Sequence, residues 1–122
     1  MRFKLSQRSK DRLKGVDERL VKVVERAIEI TEVDFSVLEG LRTPERQKQL
    51  VADGFSQTLK SKHLTGHAVD LGALVNGTIS WDKKHYHTIA DAMKKSAEEL
   101  KVNIRWGGDF KSFFDGPHFE LV

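Results

Sequence analysis

A chain of 122 residues with a net charge of +3, 39% hydrophobic and 32% charged, is long enough for one domain with its own core. The absence of cysteine excludes a disulfide framework, a thiolate metal site and a thiol nucleophile, and no apolar run approaches the roughly 20 residues needed to span a bilayer. The mild basic excess is compatible with an anionic polymer such as cell wall or nucleic acid and selects neither.

Met1 to Ser6 carry positive charge, but no apolar stretch follows, so the N-terminus does not read as a secretory signal. Synthesis in a cytoplasm without an export address is the expectation. Ser6 is a good N-cap for a short polar helix through about Leu13, with Gly15 as its stop. A second helix should run from near Asp17 to about Thr31. Its Leu20, Val21, Val24, Ala27 and Ile28 share one face, and Lys22, Glu25, Arg26 and Glu29 lie outside it. Asp34 to Gly40 carries β-formers in loose alternation and predicts a strand that delivers Arg42 just past its end. Thr43-Pro44-Glu45 is a strong helix start, because a Thr cap, a Pro at the first helical position and an early acid all favour it. That helix should last to about Ala52, where Asp53-Gly54 ends it.

Phe55 to Lys62 reads as a polar loop. Ala68 to Val75 reads as a strand, Asn76-Gly77 as a type I′ hairpin turn and Thr78 to Trp81 as the return strand. Asp82 caps the longest helix, to about Leu100, with Tyr86, Ile89, Ala90, Met93, Ala97 and Leu100 as its apolar stripe. Val102 to Trp106 predicts another strand. Gly107-Gly108-Asp109 follows as a flexible turn, Phe110 to Gly116 as a loop with two exposed aromatics, and Pro117 to Val122 as a terminal strand. The expected fold class is therefore α+β, two or three helices packed on a small, mainly antiparallel sheet.

Chemistry concentrates in two stretches, Ser61 to Asp70 and Asp115 to Glu120. His63 and His67 stand four apart, as they would on a zincin helix. Leu64 occupies the place of the required Glu, however, and Gly66 interrupts the span, so His67 reads as a neighbour and not a ligand. His63 before a strand, Asp70 within it and His118 at the head of the last strand can converge if the two strands pair. Two imidazoles and one carboxylate with a position left open is the donor set of a catalytic zinc site. Asp115 is then a candidate base for the attacking water. Arg42 could stabilise a developing oxyanion, and Ser61 could hydrogen-bond either substrate or its own loop. His85, His87, Trp106 and Asp109 read as surface, core or turn residues.

Ser61-x-His63-x-x-Gly66-x-Ala68-x-Asp70, followed by Asp115-x-x-His118, resembles the zinc D-Ala-D-Ala carboxypeptidase/dipeptidase superfamily. More closely it resembles the L-alanyl-D-glutamate peptidases that serve as phage endolysins. Gly40-Leu41-Arg42-Thr43 and Trp106-Gly107-Gly108-Asp109-Phe110 match further motifs of that family, so the resemblance spans about Leu38 to Glu120. It implies Zn²⁺ held by His63, Asp70 and His118, Asp115 as catalytic base, Arg42 as transition-state stabiliser, and Ser61 orienting site or substrate. The acid before the last ligand is Asp, where the vancomycin-resistance dipeptidase branch uses Glu. That favours cleavage between L-Ala and D-Glu of the peptidoglycan stem peptide. Phe110 stands where many relatives carry a second Trp, a departure that touches the pocket wall.

The resemblance further implies a single catalytic domain over 1–122 without a separate wall-binding domain. It would act as a monomer on the cell wall after holin release, with no nucleic-acid partner and no membrane insertion. A D,D-carboxypeptidase or dipeptidase and a non-catalytic zinc-stabilised wall-binding module are the alternatives. A basic nucleic-acid binder lacks any recognition motif.

Overall fold

The computed structural model describes residues 3–55, 61–111 and 113–122. In chain order the elements are α1 (Gln7–Arg12), α2 (Glu18–Ile30), β1 (Asp34–Glu39), α3 (Pro44–Ala52), β2 (Ala68–Val75), β3 (Thr78–Ser80), α4 (Lys83–Leu100), β4 (Ile104–Trp106) and β5 (His118–Leu121). Two 3-10 turns, Lys62–Thr65 and Gly107–Asp109, precede β2 and follow β4. The helix starts follow the sequence logic closely. Ser6, Asp17, Thr43 and Asp82 each accept a backbone N–H of the first turn, satisfying donors that a helix leaves orphaned. The type I′ turn is also present, with φ of 53° at Asn76 and 77° at Gly77.

The sheet runs β1-β2-β5-β4 with β3 also on β2, and every pairing is antiparallel. β5 pairs with residues 68–70 of β2, whereas β3 pairs with residues 73–75, so the two strands share one edge of β2 at opposite ends. Alternation along the strands then separates two faces. Phe35, Val37, Val69, Leu71, Ala73, Trp106, Phe119 and Leu121 are buried in the core with α2 and α4. Asp70, His118 and Glu120 alternate with them and so lie on the other face. Between α2 and α4, Ser96 Oγ donates to the Val23 carbonyl at 2.7 Å, which satisfies a hydroxyl buried within that contact.

α1 covers the open edge of β1, where an unpaired strand would otherwise invite association. Val37 N–H donates to Ser9 Oγ at 2.9 Å, and the Val37 carbonyl accepts from Arg12 Nη1 at 2.9 Å.

Four details depart from the sequence reading. Val23 is fully buried although it lies off the expected stripe, and Val21 is only partly buried. α2 is covered by both the sheet and α4, so its apolar arc is wider than one stripe. Leu100 is 41% exposed at the end of α4, where the chain leaves through Lys101 in the left-handed region. The segment of His63, expected as loop, forms a 3-10 turn, and 56–60 of that expected loop lie outside the described residues. The strands expected to begin at Val102 and to end at Trp81 are shorter, and Trp81 stands 65% exposed.

Candidate metal centre

His63 is placed by its turn. Ser61 Oγ accepts the His63 N–H at 3.2 Å and starts the 3-10 helix, which Gly66 ends at φ 74°. A side chain at Gly66 would meet the Gly15 carbonyl at 2.4 Å, so the residue must be glycine for conformation and for space. The Gly66 carbonyl accepts the Asp17 N–H at 2.8 Å, fastening the turn to the head of α2. The His63 ring is 2% exposed, and its Nδ1 is 2.9 Å from the Gly40 carbonyl. A carbonyl can only accept, so Nδ1 carries the proton and Nε2 presents a lone pair.

His118 is directly opposite Asp70 in the β2–β5 ladder. Its Nε2 lies 2.7 Å from Glu120 Oε1, and its Nδ1 lies 3.4 Å from Asp70 Oδ1. Here Nε2–H donates to the Glu120 carboxylate, and Nδ1 presents its lone pair towards Asp70. Asp70 Oδ1 is also 3.4 Å from His63 Nε2. The three donor atoms lie within 4.8 Å of one another.

Three acceptor atoms thus converge, each imidazole having its second nitrogen committed elsewhere. Ligands about 2.0–2.1 Å from a tetrahedral centre stand roughly 3.3 Å apart, and both measured separations from Asp70 Oδ1 are 3.4 Å. The donor set therefore fits a divalent cation, zinc above all, in size and in chemistry. His/His/carboxylate also leaves a fourth position for water.

Electrostatics around the triad are strongly biased. Burial pushes the Asp70 carboxyl up, but the imidazoles of His118 and His63 outweigh it and hold the group well below the usual carboxylate range. Burial lowers the His118 imidazole, but Asp70 and Glu120 outweigh that and raise it above its ordinary value. Glu120 is lowered against burial by His118 and by Lys62. Lys62 Nζ is 3.1 Å from Glu120 Oε2 and donates to the Leu121 carbonyl at 2.6 Å. Such outer partners set ligand orientation and basicity.

Arg42 stands at the opposite side of Asp70, its Nη2 3.8 Å from Oδ2. Its Nε is bonded to Glu39, its Nη1 donates to Gln47 Oε1 at 2.7 Å, and its backbone N–H donates to the His63 carbonyl at 2.9 Å. The guanidinium is therefore fixed, with its charge next to the triad. Asp115 lies in the turn before β5. Its N–H donates to the Gly107 carbonyl at 3.0 Å, and its carbonyl accepts the His118 N–H at 3.2 Å. Gly107 is glycine because a side chain there would lie 2.2 Å from the Asp115 carbonyl oxygen. The Asp115 carboxylate has no hydrogen bond or ion pair among the described residues. Burial, then the charge of Asp70, push it above its usual range, while His118, His63 and Arg42 pull it back. A carbon added at Gly107 would lie 2.9 Å from Asp115 Cβ and 3.0 Å from His118 Cβ, so the two side chains leave the backbone around the same glycine.

The structure therefore brings His63, Asp70 and His118 together, sets Arg42 and Asp115 around them, and uses Ser61 Oγ in shaping the turn. His67 stands apart: its Nδ1 is 2.6 Å from Thr65 Oγ1 and its Nε2 3.6 Å from Asp17 Oδ2. His85 bonds Ser80, and His87 packs its edge on Trp106. The outer partners Glu120, Lys62, Glu39, Gln47 and the Gly40 carbonyl were not singled out from sequence. Glu120 alone left a signal there, since a residue two places after His118 on a strand shares its face.

A family model for the phage L-alanyl-D-glutamate peptidases matches residues 1–122. An L-alanyl-D-glutamate peptidase of Escherichia phage T5 is 34% identical over 137 aligned residues, covering 100% of both chains. The L-Ala D-Glu endopeptidase ChiX of Serratia marcescens superposes with a TM-score of 0.94 at 45% identity, over 99% of this chain and 91% of that one. The vancomycin resistance D,D-pentapeptidase VanY, solved with Zn(II), superposes at 0.57 and 18% identity over 88% of this chain and 72% of its own. At that identity the likeness is one of fold alone.

Proposed function

This chain belongs to the phage L-alanyl-D-glutamate peptidase family, and from that premise we propose that it hydrolyses the L-Ala–D-Glu bond of the peptidoglycan stem peptide with Zn²⁺ held by His63, Asp70 and His118. The observation that carries the metal assignment is the convergence of three lone-pair donors whose other polar atoms are already partnered. A zinc ion held there supplies Lewis acidity, polarising the scissile carbonyl and lowering the pKa of water toward about 7.

The chain's own groups do the rest. Asp115 takes a proton from the attacking water at its carboxylate and hands it to the departing amine of D-Glu. Burial favours proton uptake by this carboxylate, and the lack of a hydrogen bond or ion pair to it among the described residues keeps it available. Arg42, immobilised by Glu39 and Gln47, holds a fixed positive charge for the oxyanion as the carbonyl becomes tetrahedral. The Ser61 hydroxyl, accepting from His63 N–H, keeps its own proton to donate to the substrate. Residues 1–122 form one catalytic domain in this reading, active on the wall as a monomer.

A silent, zinc-stabilised binding module would need the three ligands but not a half-buried acid near them without a side-chain partner among the described residues, so Asp115 speaks for the enzyme. The test is hydrolysis of purified peptidoglycan and of a defined stem peptide by the zinc-loaded protein, by protein treated with chelator, and by Asp115→Ala. New C-terminal L-Ala and N-terminal D-Glu, read by mass spectrometry and lost in both controls, is the expected result. Release of D-Ala instead would assign a D,D-carboxypeptidase, and binding without cleavage would assign the silent module.

A further inference from the structure

Around the turn that carries Asp115, and on Tyr86 packed against that turn, the chain exposes aromatic rings that its core does not use. Trp81 is 65% exposed, Phe113 56% and Phe114 39%. Trp81 is also pre-positioned. One face lies parallel on Tyr86, with ring centroids 6.0 Å apart and an 8° tilt. Tyr86 is itself immobilised, its hydroxyl donating to the Ser80 carbonyl at 2.7 Å and accepting from Ala73 N–H at 3.2 Å. The other face of the indole is left to solvent.

This platform is continuous with the catalytic turn. Gly116, next to Asp115, packs so closely that a side chain there would lie 2.9 Å from the Phe114 ring and 3.1 Å from Tyr86. Trp81 thus rests on Tyr86, Tyr86 on the Asp115-Gly116 turn, and Phe114 on the same turn. Phe114 is steadied by an edge contact with Trp106 at 5.7 Å. Lys83 Nζ sits 4.8 Å from the Phe114 ring centre and has no ion pair among the described residues. Across the site the arrangement repeats. Arg105, likewise without an ion pair among them, stacks 4.7 Å from Phe110, whose ring is 5.7 Å from His118. Two cations without an ion pair among the described residues thus lie on rings of the segment that leads into β5, Lys83 on Phe114 and Arg105 on Phe110.

A flat, rigid aromatic face suits the C–H face of a pyranose ring, and an uncompensated ammonium beside it suits a carboxylate. A polymer that offers both is a glycan strand bearing acidic stem peptides. Resting on the peptidase reading above, we propose that Trp81, Lys83 and Phe114 form a subsite for the glycan strand that carries the scissile stem. Trp81 stacks on a sugar ring, and Lys83 pairs with a carboxylate of the stem. Cleavage is thereby directed to stems still attached to glycan.

Binding is measured by co-sedimentation with insoluble peptidoglycan, using the zinc-loaded full chain in an Asp115→Asn background that stops turnover. Trp81→Ala and Lys83→Glu should each weaken retention at least fivefold, and Trp81→Phe should recover most of it. Peptide-stripped glycan strands should displace the protein with an intact Trp81 and have little effect on Trp81→Ala. Retention of Trp81→Ala within twofold of its parent overturns the subsite, and competition by free stem peptide but not by glycan overturns the sugar assignment. Hydrolysis of intact peptidoglycan by the protein with Asp115 intact is scored separately. Its failure sinks the peptidase reading and the subsite with it, whereas its success with unaltered retention of the Trp81 and Lys83 variants sinks the subsite alone.

Discussion

Replacing Glu120 by Ala isolates what holds His118 in place. The substitution removes the acceptor 2.7 Å from His118 Nε2 and the partner 3.1 Å from Lys62 Nζ. Without it the ring has no group that fixes the tautomer exposing Nδ1, and the nitrogen facing Asp70 becomes less basic. Loss of an outer-shell carboxylate typically costs about 10–100-fold in metal affinity, or roughly 1.4–2.8 kcal/mol at 1.4 kcal/mol per tenfold. The fold should lose less, because the Lys62 side chain is 45% exposed and can return to water. Zinc affinity is read by competition with a chromophoric chelator, and the stability of the metal-free protein by denaturant melting. Glu120→Ala should lose at least tenfold in affinity while the metal-free midpoint moves by less than about 1 kcal/mol. Glu120→Gln, which keeps an acceptor without charge, should fall between. Zinc affinity within twofold of wild type in Glu120→Ala would refute the argument, whatever happened to the melt.

Asp115→Asn should retain zinc and lose about 10²–10⁴-fold in kcat/KM on a stem peptide; retained turnover would remove it as the base. Because Asp115 acts as the carboxylate, activity should be present at higher pH and fall as pH drops and the carboxylate is protonated, an acid limb visible in a kcat/KM profile. In the metal-free protein the same raised group contributes stability below its unfolded pKa that is lost as pH rises through its folded value. The depressed Asp70 acts oppositely, contributing above its unfolded pKa and losing that contribution as pH falls; melting against pH checks both signs. His67→Ala should leave zinc affinity within about twofold, since its ring is engaged by Thr65 and Asp17, and a tenfold loss by chelator competition would place it in the centre. Gly107→Ala should destabilise the fold by about 1–3 kcal/mol in denaturant melts and depress activity, because the new carbon drives against the Asp115 carbonyl.

Local chemistry was enough to place most elements and the donor set. Ser6, Asp17, Thr43 and Asp82 announce their helices because a short acceptor side chain before an apolar-periodic run satisfies orphan N–H groups wherever the helix is packed. Asn76-Gly77 announces its hairpin because both residues tolerate positive φ. His63, Asp70, Asp115 and His118 were legible as a constellation because their residue types and spacing match a zinc peptidase motif, whereas the pairing of the two strands that carry Asp70 and His118 stood there only as a condition, which the fold meets. Tertiary structure decided everything that depends on which surfaces meet. Val23 is buried because α4 covers a second side of α2, Glu120 and Lys62 matter because strand pairing and the turn at His63 bring them behind one imidazole, and Arg42 meets Asp70 because its backbone N–H is bonded to the His63 carbonyl. Propensity and periodicity are properties of a segment. Which nitrogen of each histidine faces the metal is a property of contacts between segments distant in the chain, and only the folded chain contains them.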